Sequence, residues 1–454
     1  MMYPRLKLAR NLLKDDGIIF ISINDAEQDN LKKICDEIFG EENFIAKMIW
    51  TNKEGGGSSD SKLIKIKHEY ILVYAKNINF AEINGIKVTD SDRYRNKDSY
   101  FSSRGPYQLI KLDSASLGYI SSLDYPIVAP DGSMIFPNKD DKKVSRWRWS
   151  KKKFDWGLEN DYVEFKKDKN DQWNVYTKQY LNADNEGNII SRTNRPMAVI
   201  DKYSSTQSSK YLQALFNNKI FNYSKPYQLI KFLIEISMSD NNIILDFFSG
   251  SSTTAESLLK FNKENNKRNN FIMVQIPEAI DVKSEAYKTG YKNICEIGKE
   301  RIRRAGDKIV QESGNKDLDI GFKVFKLDSS NLNKWDPDYD NLEQTLLVSQ
   351  DNIKPDRTQE DLIYEIMLKY GIDLTLPIEE YDARENKIYS IGFGALLICL
   401  DNKITKDIAD SIIELASEDV SRVVFKDNGF ASDADKTNIK ETLRTHGIDE
   451  FITI

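Results

Sequence analysis

The chain has 454 residues, 40% hydrophobic and 30% charged, with 65 Lys and Arg against 71 Asp and Glu. That length exceeds one compact core and implies two or three domains, while 21 Phe, 22 Tyr and 6 Trp exclude wholesale disorder. No run of about 18 apolar residues occurs, and the start Met1-Met2-Tyr3-Pro4-Arg5 has no apolar signal core. Three scattered cysteines (Cys35, Cys295, Cys399) and two histidines (His68, His446) build neither a disulfide framework nor a metal cluster, so no metal site is expected. A soluble, cytoplasmic, multidomain protein without membrane contact is expected. The net charge of −6 is unevenly spread: residues 1–330 carry 52 basic and 45 acidic side chains, residues 331–454 carry 13 and 26. A basic body with an acidic tail suits a chain that meets nucleic acid with one part and protein with another, and equally an ordinary charged surface.

In chain order, Leu6, Leu8, Leu12 and Leu13 mark a helix, Asp16-Gly17 a turn, and Ile18–Ile21 a buried strand. Asp25 is placed to cap a second helix whose apolar face is Leu31, Ile34, Cys35 and Ile38. Phe44–Trp50 and Tyr70–Tyr74 read as strands, separated by a glycine-serine loop at Gly55–Ser59. From 81 to 215 the α/β rhythm gives way to short polar and aromatic pieces. It returns with a helix through Leu229, Phe232, Leu233 and Ile236, a strand at Ile243–Phe248 and a helix at Thr253–Lys260. A strand at Phe271–Gln275, a long charged helix around Tyr291–Ile309 and a last strand at 321–327 follow, and beyond 331 the pattern is acidic and mostly helical. Strands alternating with helices imply an α/β, doubly wound, mainly parallel sheet, whose ligands bind beyond the carboxyl ends of the strands.

Three constellations stand out. The run Ile243–Thr254 (IILDFFSGSSTT) takes a buried strand through small residues into a helix. Gly250 permits close approach of a ligand, the hydroxyls can satisfy free helix N–H groups, and Asp246 sits at the strand end. The other reading is a well-capped strand-to-helix turn. It is neither a P-loop nor a Gly-x-Gly-x-x-Gly fingerprint. Glu278 lies 28 residues after Gly250, where α/β nucleoside sites hold ribose hydroxyls, and otherwise is a helix-start carboxylate. Finally, four of six Trp fall within 147–173, and Arg146-Trp147-Arg148-Trp149-Ser150-Lys151-Lys152-Lys153 interleaves cations with indoles. This is either a phosphate- and base-contacting stretch or an amphipathic strand with its Trp in the core.

The blocks at 1–46, HEYILVYAKN (68–77), KPYQLIKFLIEIS (225–237), DFFSGSSTTAE (246–256), FIMVQIPE (271–278), IGKERIRRA (297–305) and GFKVFKLDSSNLNKW (321–335) together resemble one family. It is the modification subunit of type III restriction–modification systems, a beta-class adenine-N6 DNA methyltransferase. The resemblance implies a methyltransferase sheet split between residues 1–80 and 216–330, with an inserted irregular α+β recognition module at 81–215 and an α-rich acidic assembly domain at 331–454. It implies S-adenosylmethionine as cofactor, with Phe248, Ser249, Gly250 and Ser251 at its methionine end beside Asp246 and within the loop completed by Phe247, Ser252 and Thr253. Glu278 takes the ribose, and Lys225 and Pro226 close the pocket. Double-stranded DNA would meet Arg146, Trp147, Arg148, Lys151, Lys152 and Lys153. His68 is either a DNA contact or a hydrogen-bonded structural histidine. A homodimer and a helicase-nuclease restriction subunit are the implied protein partners. The family's Asp-Pro-Pro-Tyr tetrad, which positions a flipped adenine, occurs nowhere in the sequence. No catalytic residue is therefore assigned, and an N-terminally truncated member with an incomplete sheet is expected, its alternative a DNA-binding or assembly subunit without catalysis.

Overall fold

The computed structural model describes residues 2–52, 64, 66–88, 93–138, 144–221, 224–333, 353–417 and 422–454. The Gly55–Ser59 loop lies outside the described residues. The chain divides into two compact units, Met1–Gly321 and Phe322–Ile454. Among the described residues no helix is long and apolar enough to cross a membrane.

The first unit opens with the helix Met2–Leu12, which buries Leu6 and Ala9, and continues with the strand Ile18–Ile23. The helix Gln28–Phe39 buries Leu31, Cys35 and Phe39, spaced by four residues so that they share one face. The strands Phe44–Thr51 and His68–Ala75 complete a four-stranded sheet in the order Ile18–Ile23, His68–Ala75, Phe44–Thr51, Val199–Ile200. His68–Ala75 is antiparallel to both neighbours, whereas Val199–Ile200 runs parallel to Phe44–Thr51. Three of its four strands run in one direction, in keeping with the expected mainly parallel sheet, and one is antiparallel. Ile18–Ile23 and Phe44–Thr51 do run the same way, as a strand-helix-strand connection requires, but the returning strand His68–Ala75 lies between them.

The inserted segment has its own sheet, Val163–Lys167, Trp173–Tyr180 and Tyr107–Lys111, all antiparallel. Its core gathers Tyr107, Leu112, Trp147, Trp149, Phe154, Tyr162 and Val175. The helix Lys151–Glu159 is capped by the Ser150 hydroxyl, which accepts from the Lys153 N–H. At Gly157 a Cβ would fall 2.5 Å from the Trp149 ring, so only glycine lets this helix lie on the indole.

After Pro226 the helix Tyr227–Ser237 leads to the strand Ile243–Asp246, the helix Thr253–Asn265 and the strand Asn270–Met273. The two strands pair in parallel as a separate two-stranded sheet. The helix Ile294–Ser313 follows. The strand expected at 321–327 does not form: the segment takes no regular secondary structure, with Val324, Phe325 and Leu327 exposed.

The second unit corrects the helical expectation for the C-terminal region. Helices are present, but they pack on a five-stranded sheet ordered Ile378–Ala383, Asn386–Ile391, Leu396–Cys399, Arg422–Phe425, Glu450–Thr453. The first three strands pair antiparallel and the last three parallel. Leu397, Cys399, Val423 and Phe425 pack on one face with the helices Ile408–Leu415 and Asp433–Thr445. Leu396, Ile398 and Val424 pack on the other with the helix Gln359–Lys369, whose Leu362, Ile363, Ile366 and Met367 are buried.

Candidate functional site

The loop between the parallel strands of the first unit is built by side chains that act on its own backbone. Asp246 ends its strand with both carboxylate oxygens engaged: Oδ1 accepts from the Phe248 N–H at 3.1 Å and Oδ2 from the Thr254 hydroxyl at 2.6 Å. Asp246 thus sets the loop's shape instead of standing free at the strand end. Gly250 and Ser252 both lie in the left-handed region, at φ +51° and +58°, which reverses the chain twice before the helix Thr253–Asn265 opens. Gln275 follows the second strand, and its Oε1 accepts from the Gly250 N–H at 2.7 Å. Ser249, Ser251, Ser252 and Thr253 are buried, and Phe248 is 58% exposed with its ring against Phe247.

Behind the loop is a buried ionic network. Arg301, 1% exposed on the helix Ile294–Ser313, donates from Nε to Glu256 Oε2 at 2.7 Å. Its Nη1 donates towards three hydroxyls: Ser224 at 2.8 Å, Ser251 at 2.8 Å and Thr253 at 2.6 Å. Glu256, fully buried, also accepts from the Tyr211 hydroxyl, and Lys260 stands 3.9 Å away. Burial holds the Lys260 ammonium below its usual range against the pull of Glu256. Burial first, and then Glu256, raise the Tyr211 phenol, so it remains a donor. Gly298 lets the long helix approach, since a Cβ there would come within 2.6 Å of Ser252 Oγ.

Sequence reasoning missed Glu256, Arg301, Ser224 and Gln275. One signal was available for Arg301: it lies four residues from both Ile297 and Ala305, inside the apolar stripe of its helix, where a cation needs a buried partner. Of the residues singled out, Asp246, Phe247, Phe248, Ser249, Gly250, Ser251, Ser252 and Thr253 are brought together in the loop. Glu278 is exposed, five residues beyond the end of its strand, and Gln275 is the side chain that touches the loop. Pro226 is buried ahead of its helix, and the Lys225 ammonium lies 2.6 Å from Glu69 Oε2 and over the Trp50 ring.

His68 Nε2 is 2.9 Å from the Tyr70 hydroxyl and 3.8 Å from Asp25 Oδ1. In the cation–indole stretch the strand alternation decides the outcome. Trp147 is 1% exposed and donates from Nε1 to the Tyr125 carbonyl at 2.7 Å, so its assignment as a DNA contact is corrected: the ring is core. Trp149 is buried beside it, whereas Arg148, Lys151 and Lys152 are exposed and Lys153 is half-buried over the Trp149 ring. Arg146 is half-buried, with its Nε lacking a hydrogen-bond partner among the described residues.

A strand, a reversing small-residue loop, a helix N-terminus and a parallel neighbour strand define a cofactor-type α/β site. A Cβ added at Gly250 would meet nothing nearer than Phe248 O at 4.0 Å, its chain neighbours aside, so this face of the glycine is uncrowded. The family model described as DNA methylase matches residues 1–303, and the chain belongs to that family of DNA methyltransferases. It is 29% identical to the type III restriction-modification enzyme EcoPI Mod subunit of Escherichia phage P1, over all of this chain and 72% of the relative. It is 32% identical to the StyLTI Mod subunit of Salmonella typhimurium, over 72% of this chain and 47% of the relative. Among solved structures, PvuII DNA methyltransferase (cytosine-N4-specific) covers 66% of this chain and 74% of its own, at 12% identity and TM-score 0.31.

Proposed function

We propose that the chain serves as a type III modification subunit that methylates adenine N6 in double-stranded DNA, with S-adenosylmethionine as donor. The observation that carries this reading is the 246–253 loop: Asp246 and Gln275 lock it, Gly250 leaves its face open, and a helix begins directly behind it. Bound there, the cofactor supplies the electrophilic methyl group. Gly250 admits it to the backbone, Phe247 and Phe248 offer ring surface, and Glu278 offers a carboxylate for hydroxyls. Lys225 and Pro226 belong to the segment that joins this loop through Ser224. The module at 81–215 reads the DNA, with Arg146, Arg148, Lys151, Lys152 and Lys153 on phosphates and His68 near the target strand. The acidic region beyond 331 meets the restriction subunit, the modification subunit acts as a homodimer, and the work is done in the cytoplasm.

A second reading rests on one observation, the absence of the Asp-Pro-Pro-Tyr tetrad from the sequence: these residues bind cofactor and DNA without completing transfer. Calorimetric titration with S-adenosylmethionine, followed by incubation with methyl-labelled cofactor and duplex DNA, separates the two. N6-methyladenine in the recovered DNA supports the first. Saturable binding of cofactor and DNA without label transfer supports the second. No heat of cofactor binding overturns the assignment of the loop.

A further inference from the structure

The inserted module holds a polar cavity of about 290 Å³ that none of the sequence motifs marked. It is lined by Tyr94, Gln108, Gln179, Arg192 and Asn194, among others, and among the described residues no carboxylate lines it. Gln108 and Gln179 are register partners on the adjacent antiparallel strands Tyr107–Lys111 and Trp173–Tyr180. Their amides are joined, Gln108 Nε2 donating to Gln179 Oε1 at 2.6 Å, and the buried Tyr94 hydroxyl donates to the same oxygen at 3.4 Å. With Gln179 Oε1 doubly engaged, the pair keeps one free acceptor, Gln108 Oε1, and N–H groups on both amides to donate. Arg192 is held rigidly, Nε donating to the Tyr180 carbonyl at 2.8 Å and Nη2 to the Ala183 carbonyl at 2.7 Å.

We propose that this cavity is a base-reading site for duplex DNA in which the Gln108–Gln179 pair recognises the major-groove edge of an adenine. Adenine presents an acceptor, N7, beside a donor, the N6 amine, and so calls on both the free acceptor and the N–H groups of the pair. Guanine presents two acceptors there, thymine an acceptor and a methyl group, and cytosine a single donor. A cross-strand pair fixed by its own hydrogen bond and by Tyr94 pays little ordering entropy on binding. Arg192, held by two backbone carbonyls, suits a phosphate beside that base. This rests on the reading of the chain as a DNA-binding methyltransferase subunit, and it names side chains for one position of the recognised sequence.

The test is selection of bound duplexes from a randomised pool by the full chain, comparing the wild type with Gln108→Ala, Gln179→Ala and Gln179→Glu. The last is isosteric and turns the donor into an acceptor, so it keeps the cavity's shape if alanine disturbs the fold. The wild type is expected to fix an adenine that the alanine variants relax about tenfold, with affinity for random duplex unchanged within about twofold. Gln179→Glu is expected to lose adenine and to favour cytosine at that position. Identical selected sequences for wild type and all three variants overturn the inference while leaving the proposed function intact. So does unchanged DNA selection accompanied by variant-sensitive binding of adenosine monophosphate, which would make the cavity a free-nucleotide site. A wild type that retains no duplex at all removes the proposed function, and the inference with it.

Discussion

Two parallel-strand regions of the molecule are held together in opposite ways. In the second unit, Leu396–Cys399 has strands on both sides and helices on both faces, and Leu396, Leu397, Ile398, Val423, Val424 and Phe425 are each 0% exposed. Around the candidate loop, Ile243–Asp246 pairs only with Asn270–Met273, and each has an outer edge without a strand partner among the described residues. Ile243 is 61% and Ile272 51% exposed. Apolar burial, at about 25 cal/mol per Å², holds the first arrangement and is thinner in the second, where Ile244 and Phe271 pack on Ile234, Leu258 and Phe261. There the Arg301–Glu256 pair and its ring of hydroxyls fix the loop. The lesson is that where apolar cover is thin, a buried polar network takes over the shaping. Such a network depends on completeness: each partner is cheap only while the other is present.

The largest effect follows from that dependence. Arg301→Met leaves Glu256 buried without its cation and is expected to cost about 3–5 kcal/mol. Amide exchange should show residues 249–256 losing protection while Leu396–Cys399 keeps it. Replacing both, Arg301→Met with Glu256→Leu, should recover part of the loss, because the charge left at the site is then only Lys260, which burial already holds below its usual range. If the double variant is no better than the single, the ion pair is not what holds the loop. The opposite half of the comparison is Leu397→Ala, expected to cost about 2–5 kcal/mol through transfer and cavity terms. Its exchange signature should be confined to the five-stranded sheet.

A ligand sharpens the contrast further. S-adenosylmethionine at a hundredfold excess over its Kd should add about 2.7 kcal/mol of apparent stability. Exchange protection should rise at 246–256 and 273–275 and not in the second unit. Acid acts the other way round. Burial raises the Glu365 carboxyl, but hydrogen bonds from Lys369, Ser330 and the Asn331 N–H outweigh it and hold the group at about 2. A depressed carboxylate contributes stability that is full above its unfolded value of 4.5 and is lost as pH falls through its folded one. Between pH 4.5 and about 2 the second unit should therefore weaken, and Glu365→Gln should flatten that part of the profile in acid melts.

What the sequence disclosed follows the same division. The loop was legible because strand, glycine, hydroxyls and helix are contiguous within twelve residues, so local rules suffice. Arg301 and Glu256 are 45 residues apart, and nothing local says that they meet. The Arg146–Trp149 stretch was ambiguous by composition, yet its period of two already assigned Trp147 and Trp149 to one face and Arg148 to the other. The five-stranded sheet stayed hidden because its first strand, Ile378–Ala383 (IEEYDA), is charged and exposed, as edge strands commonly are. The Gln108–Gln179 pair was invisible because it exists only through strand register.

The smallest expected effect probes the open edge itself. Ile243→Thr keeps a β-branched residue on the strand and removes only apolar contact from a side chain that is 61% exposed. With that edge bare in solution, the change should stay within about 0.5 kcal/mol in a urea melt. A cost above about 1 kcal/mol, or a drop in mass by light scattering, would mean that another strand or another copy covers the edge in solution. Either result would erase the difference in coverage between the two regions. It would also make the polar network a supplement to apolar burial at the site and not its substitute.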